Sequence, residues 1–212
     1  MKWFRRICYS SAAVLVLFLI FYRVWFLRQP ERNIPGNENV FVSPANGKVV
    51  SVREWNEAVL QECKGDLGVI NVWTKDVDTA GTIISIQMNP MNVHYQRAPT
   101  GGKVISKQYS EGLFNNAVTM CNDYGIRFEN EHNEILMQTT SGKNYKVIQI
   151  AGFLARRIED YVAPEQTLKQ GEVIGLIKLG SQVTVILPRG IRPTVKVGDK
   201  TIDGETVIAE EE

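Results

Sequence analysis

The chain has 212 residues, 44% of them hydrophobic and 22% charged, a globular composition that excludes a disordered or collagen-like chain. Its 24 Lys plus Arg nearly balance 23 Asp plus Glu, leaving a formal net charge of +1, so no global basic field points to a nucleic-acid partner. Three scattered cysteines, Cys8, Cys63 and Cys121, and only two histidines, His94 and His132, argue against a disulfide framework and against a metal centre.

At the N-terminus, residues 7–22 (ICYSSAAVLVLFLIFY) carry no charge, and VWFL at 24–27 extends the run past Arg23. A hydrocarbon core about 30 Å thick takes about 20 apolar helical residues, a length reached here when Arg23 snorkels to the headgroups. Lys2, Arg5 and Arg6 give the basic start of a signal peptide, but no small-x-small cleavage site follows, because Trp25-Phe26-Leu27-Arg28 is bulky. One retained membrane helix over 1–28 is therefore expected. Basic residues flank both of its ends, so charge does not orient it. The uncleaved anchor and the reducible cysteines favour the cell (inner) membrane with the domain on the cytoplasmic face. Residues 29–39, with Pro30, Pro35 and Gly36 and little apolar content, read as a linker to a domain over 40–212.

Within that domain, short Val- and Ile-rich segments bounded by Gly, Pro, Asn or Asp predict strands at 40–42, 48–53, 67–73, 81–88, 102–108, 135–139, 145–150, 171–177, 183–187 and 194–197. Brief helices are expected at 115–123 and 153–161. Many short strands at near-regular spacing predict a mainly β fold, a compact sandwich or barrel-sandwich domain with few short helices.

Three segments carry residue types suited to chemistry. The stretch MNPMNVHYQRAP at 88–99 sets His94 and Arg97 between prolines that limit the local backbone. An imidazole titrates near neutrality and suits proton transfer, while Arg97 suits either a substrate phosphate or carboxylate or a structural ion pair. Leu179-Gly180-Ser181-Gln182 puts a Gly-Ser step between two predicted strands and reads, by itself, as a hairpin turn. Ser43-Pro44-Ala45-Asn46-Gly47 contains Asn-Gly, the strongest short hairpin signal. His132, in the polar stretch ENEHNE, is expected to be solvated in a loop.

In their order and spacing, the segments VSPANGKVVSV, MNPMNVHYQRAPTGGKV, ENEHNEI, VIQIAGFLARRI and YVAPEQTLKQGEVIGLIKLGSQVTVILP resemble the phosphatidylserine decarboxylase family, in its short bacterial and archaeal branch, over nearly the whole chain. The resemblance implies a proenzyme that cuts itself at Gly180-Ser181 into a β chain, 1–180, and an α chain, 181–212. Attack of Ser181 Oγ on the Gly180 carbonyl, β-elimination and hydrolysis would convert Ser181 into a pyruvoyl group. Its ketone would form a Schiff base with the substrate amine and take up the electron pair left by CO₂, with no pyridoxal phosphate and no metal.

The same resemblance implies a membrane-bound enzyme that turns phosphatidylserine into phosphatidylethanolamine, with His94 handling protons and position 46 in the triad that drives self-cleavage. A homo-oligomer is compatible with it. Two positions usually acidic in the family are Asn46 and Asn92 here. An amide cannot stabilise an imidazolium by charge, and in the Ser-His-Asp template the Asp to Asn change costs about 10⁴ in rate. Slow maturation is expected, and the alternative is a processing-deficient member that binds lipid or scaffolds without catalysis.

Overall fold

The long uncharged run at the N-terminus forms a helix. In the computed structural model, which describes residues 2–56, 74–112, 130–152, 158–178 and 181–212, α1 (Lys2–Ile20) continues into a π-helical stretch, Phe21–Phe26. Together Trp3–Phe26, 24 residues, are long and apolar enough to cross a membrane. The strand expected at 67–73, the helix expected at 115–123 and Gly180 lie outside the described residues.

The rest is mainly β, as the Val and Ile content requires. The strands are β1 (Val40–Val42), β2 (Gly47–Asn56), β3 (Ala80–Met88), β4 (Tyr95–Arg97), β5 (Gly102–Ser110), β6 (His132–Thr139), β7 (Asn144–Ala151), β8 (Ile158–Asp160), β9 (Thr167–Leu168), β10 (Val173–Ile177), β11 (Ser181–Pro188), β12 (Ile191–Pro193), β13 (Lys200–Thr201) and β14 (Val207–Glu211). Eight of them form one antiparallel sheet in the order β13-β2-β3-β11-β7-β6-β5-β9, and two three-stranded sheets, β1-β14-β12 and β4-β10-β8, complete the domain.

The central strand β11 is buried along its whole length. Side chains alternate across a strand, so Val183, Val185 and Leu187 enter the main core while Ile186 joins a second cluster on the other face. Ile84, Ile86 and Met88 of β3, and Tyr145, Val147 and Ala151 of β7, share the main-core face. A bulge between Val49 and Ser51 shifts the alternation of β2. Val49 therefore faces the main core and Trp55 the second cluster. Ser181 pairs with Met88 on one side and Ala151 on the other. By the same alternation it opens onto the main core, at one end of the sheet.

Three expectations are corrected. The described part of 153–161 is not helical, because Ile158–Asp160 pairs with β10 as an edge strand and Lys107 Nζ holds Asp160 at 2.6 Å. The strand expected at 194–197 forms earlier, as β12. Residues 196–199 instead make a turn in which the Asp199 carboxylate accepts from the Lys196 amide at 2.9 Å and Gly198 takes φ 101°. The Asn46-Gly47 step is not a hairpin turn. Gly47 begins β2, and its missing side chain admits the Gln87 carbonyl oxygen to 2.3 Å from where a Cβ would stand.

Residues 29–37 carry no helix or strand, yet they lie fastened across the domain. Ile34 packs on Gly171, where its Cδ1 sits 2.3 Å from an ideal Cβ position and φ is +75°, a place only glycine fills without strain. Arg32 pairs with Asp203, and the Asn33 amide donates to Glu205.

Candidate active site

His94 lies between the proline-flanked loop and β4, and is fully buried. Its Nδ1 lies 2.9 Å from the Asn92 carbonyl oxygen, and its Nε2 is buried without a hydrogen-bond partner among the described residues. A carbonyl only accepts, so Nδ1 carries the proton and Nε2 keeps its lone pair. The ring of Phe26, at the end of the membrane-type helix, covers the imidazole at a centroid distance of 4.0 Å, and Tyr22 stacks on Phe26 at 5.3 Å. Burial pushes the His94 pKa down to about 4, against the Asn92 carbonyl, which favours the charged ring, and with the Arg28 charge adding to the fall. The imidazole is therefore neutral at pH 7.

Ser181 is also buried, and its Oγ lies 3.2 Å from Met88 Sδ. Gln96 joins the two residues: its Nε2 donates to the His94 carbonyl at 2.6 Å and lies 3.9 Å from Met88 Sδ. Gln96 Oε1 accepts from Gln149 Nε2 at 2.8 Å, and Gln149 Oε1 accepts from Asn133 at 2.9 Å, so a buried amide chain supports the site from β6 and β7. The Ile177 amide, at the end of β10, also donates to the His94 carbonyl, at 3.2 Å. His94 and Ser181 are thus brought to one end of the main core without a direct hydrogen bond between them.

Asn46 and Asn92 are joined, Asn92 Nδ2 donating to Asn46 Oδ1 at 3.1 Å. Asn46 Nδ2 in turn faces Asp203 Oδ1 at 3.4 Å. Asp203 is fully buried and is gripped by Arg32 at 2.5 Å and Arg97 at 2.9 Å. Arg97 also donates to the carbonyls of Gly171 at 2.9 Å and Pro30 at 3.3 Å, which places it in an ion-pair network, one of the two parts expected for it. With Arg32 it lines a cleft of about 400 Å³ beside the strap.

His132 is not solvated. It is the first residue of β6, is buried, donates from Nδ1 to the Asn130 carbonyl at 2.8 Å, and holds Nε2 3.7 Å from Glu134. Asp203, Gln96 and Phe26 escape a sequence reading. Asp203 precedes a glycine and looks like a turn residue, and Phe26 looks like one more lipid-facing side chain. No group of three or more His, Cys, Asp or Glu among the described residues is placed to hold a metal ion.

These features define a mainly β protein behind an apolar N-terminal helix, with a buried serine and a neutral histidine at one end of its central strand. The family model for phosphatidylserine decarboxylase matches residues 19–209, and the chain belongs to that family. It is 38% identical over 199 residues to the phosphatidylserine decarboxylase proenzyme of Syntrophus aciditrophicus, covering 93% of this chain and 83% of that protein. It is 35% identical over 201 residues to a putative archaetidylserine decarboxylase proenzyme of Methanothermobacter thermautotrophicus, covering 95% and 86%. The solved structure of glucose permease IIA from Mycoplasma capricolum aligns with 80% of this chain and 93% of its own at 14% identity and a TM-score of 0.42, a likeness too low to carry any argument.

Proposed function

We propose that the chain is a proenzyme that cleaves itself at Gly180-Ser181 and then decarboxylates the serine headgroup of a phospholipid of the phosphatidylserine class at a membrane surface. The observation that carries this reading is the buried Ser181 hydroxyl on Met88 Sδ, with Gln96 beside the same sulfur and holding the backbone carbonyl of His94, whose Nε2 has no hydrogen-bond partner among the described residues.

In this reading His94 Nε2 accepts the Ser181 hydroxyl proton while Oγ bonds to the Gly180 carbonyl carbon. The Gly180-Ser181 C–N bond breaks, its nitrogen takes the proton, and an ester stands where the amide stood. His94 Nε2 next takes the Ser181 Cα proton as the Gly180 carboxylate leaves Cβ, a proton returns to Cβ to make it a methyl group, and water replaces the nitrogen, released as ammonia, to leave a ketone at position 181. The pyruvoyl group supplies the electron sink for loss of CO₂. His94 Nε2, neutral at rest, takes up a proton released as the substrate amine binds and returns it to the substrate carbon once CO₂ has left. Gln96 and Met88 shape the floor of the site, and Arg97 holds Asp203 and the strap. The Trp3–Phe26 helix, crossing the bilayer, keeps the site at the headgroup layer, so a lipid substrate is met at high effective concentration.

The test is the intact mass of the full-length chain purified in detergent, beside Ser181→Ala. Two fragments in the wild type, one ending at Gly180 and one beginning with pyruvate at position 181, with a single chain in the variant, are expected. A single chain in both, from folded protein, overturns the reading and leaves a family member without the reaction.

A further inference from the structure

We infer that Asp203 is a positioning residue for His94, acting through Asn46 and Asn92, and that it supplies, from the turn after β13, the carboxylate that position 46 lacks. The inference rests on the self-cleavage reading above.

Donor and acceptor identities fix the direction of every bond in this chain. Asp203 is fully buried, and both of its carboxylate oxygens accept from the guanidinium groups of Arg32 and Arg97, so it meets Asn46 as an acceptor. The amide of Asn46 must therefore turn its Nδ2 to the carboxylate, across 3.4 Å, which leaves its Oδ1 facing Asn92. Asn92 must then present Nδ2 to Asn46, at 3.1 Å, and its own Oδ1 faces the Asn89 amide, which donates at 2.8 Å. The Asn92 amide closes the loop by donating to the Asn89 carbonyl at 2.9 Å. With its side chain pinned at both ends, Asn92 aims its carbonyl at His94 Nδ1, 2.9 Å away. That carbonyl selects the tautomer with the proton on Nδ1 and the lone pair on Nε2, the form able to take a proton from a serine.

The Asp203 carboxylate at one end and the Asn89 amide at the other thus agree on one orientation for the side-chain amides of Asn46 and Asn92. An amide at 203 that turned its N–H to Asn46 would oppose Asn46 Nδ2 and set it against Asn92, whose Oδ1 the Asn89 amide holds, loosening the contact that keeps the Asn92 carbonyl on His94. Arg32 belongs to the strap that follows the helix, so the same carboxylate also ties the end of the anchor to the site.

The experiment uses the full chain in lipid nanodiscs. Nitrogen-15 spectra of the two histidines are recorded in the uncleavable Ser181→Ala background, with His94 assigned by loss of the other signal in His132→Gln. His94 is expected to show a protonated Nδ1 and an unprotonated Nε2. Adding Asn46→Ala, which leaves both arginine pairs of Asp203 in place, or Asp203→Asn, is expected to give a mixture of tautomers. In cleavable protein, Asp203→Asn is expected to slow maturation at least tenfold, and the charge swap Asn46→Asp with Asp203→Asn to restore it to within about threefold, since it returns one carboxylate to the network. An unchanged His94 tautomer in Asn46→Ala overturns the proposal, even where Asp203→Asn fails to fold. So does an Asp203→Asn protein that matures slowly but keeps its tautomer and is not rescued by the swap. If wild-type protein does not mature, the self-cleavage reading fails, while the spectra still decide the link from Asp203 to His94.

Discussion

The two histidines of this chain begin alike and end differently. Each donates from Nδ1 to the carbonyl of an asparagine two residues earlier, at 2.9 Å for His94 and 2.8 Å for His132. His132 then meets the Glu134 carboxylate with Nε2, and Lys146 binds the same carboxylate at 2.9 Å. Burial pushes the Glu134 pKa up, but its bonds to His132 and Lys146 outweigh this and hold it below the usual carboxylate range. His94 has only the Phe26 ring over its face and no polar partner at Nε2 among the described residues. The same tautomer-setting carbonyl serves a satisfied structural network in one place and, in the other, a nitrogen left without a polar partner among the described residues, the arrangement that the proposed base requires.

The comparison can be broken most directly at the nitrogen itself. His94→Gln is expected to slow fragment formation by about 10³, within the range for loss of a general base, measured by mass spectrometry over time. The corresponding His132→Gln protein is expected to mature within about threefold of wild type. Equal losses in both would erase the distinction.

The next effect is on stability against pH. His94 has a folded pKa of about 4 against about 6.5 in an unfolded chain. Between those values the unfolded state binds more protons, so stability rises with pH across the window and falls on acidification. The loss approaches about 3 kcal/mol once pH is below both values. Urea melts of Ser181→Ala with and without His94→Gln, from pH 4 to 7, are expected to differ in slope only in this window.

A smaller effect sharpens the part of Phe26. Phe26→Ala is expected to hydrate the imidazole and raise the His94 pKa towards its ordinary value, read by an NMR titration of the His94 ring. The smallest is His132→Gln on stability, a loss of about 1 kcal/mol for one buried hydrogen bond, measured by the same melts.

Much of the sheet was legible because its strands announce themselves. Residues 81–88 and 183–187 are Val- and Ile-rich runs between turn residues, and they became β3 and the centre of β11. The start of β6 was not legible. His132, Asn133 and Glu134 are polar, and they are buried only because Gln149 and Lys146 of the neighbouring strand complete their hydrogen bonds, a pairing that no local pattern encodes. The same reason hid β8, since Ile158–Asp160 has no strand-forming character beyond its fit against β10. At the site, Ser181, His94 and Asn46 stood out by motif, whereas Asp203 lies 157 residues from Asn46 and joins it only through the fold.

The placement of Ser181 as the first residue of β11 bears on what a cut before it could release. The segment from 181 onward supplies the middle strand of the large sheet, paired with β3 from Ser181 to Pro188 and with β7 from Ser181 to Ile186, and also β12, β13 and β14. Severing the chain there breaks one covalent bond and none of these ladders. The two pieces would remain a single body that travels as one particle through a column and parts only in denaturant, and the new chain end would stay clamped between two strands, with no freedom to leave the place where it was made.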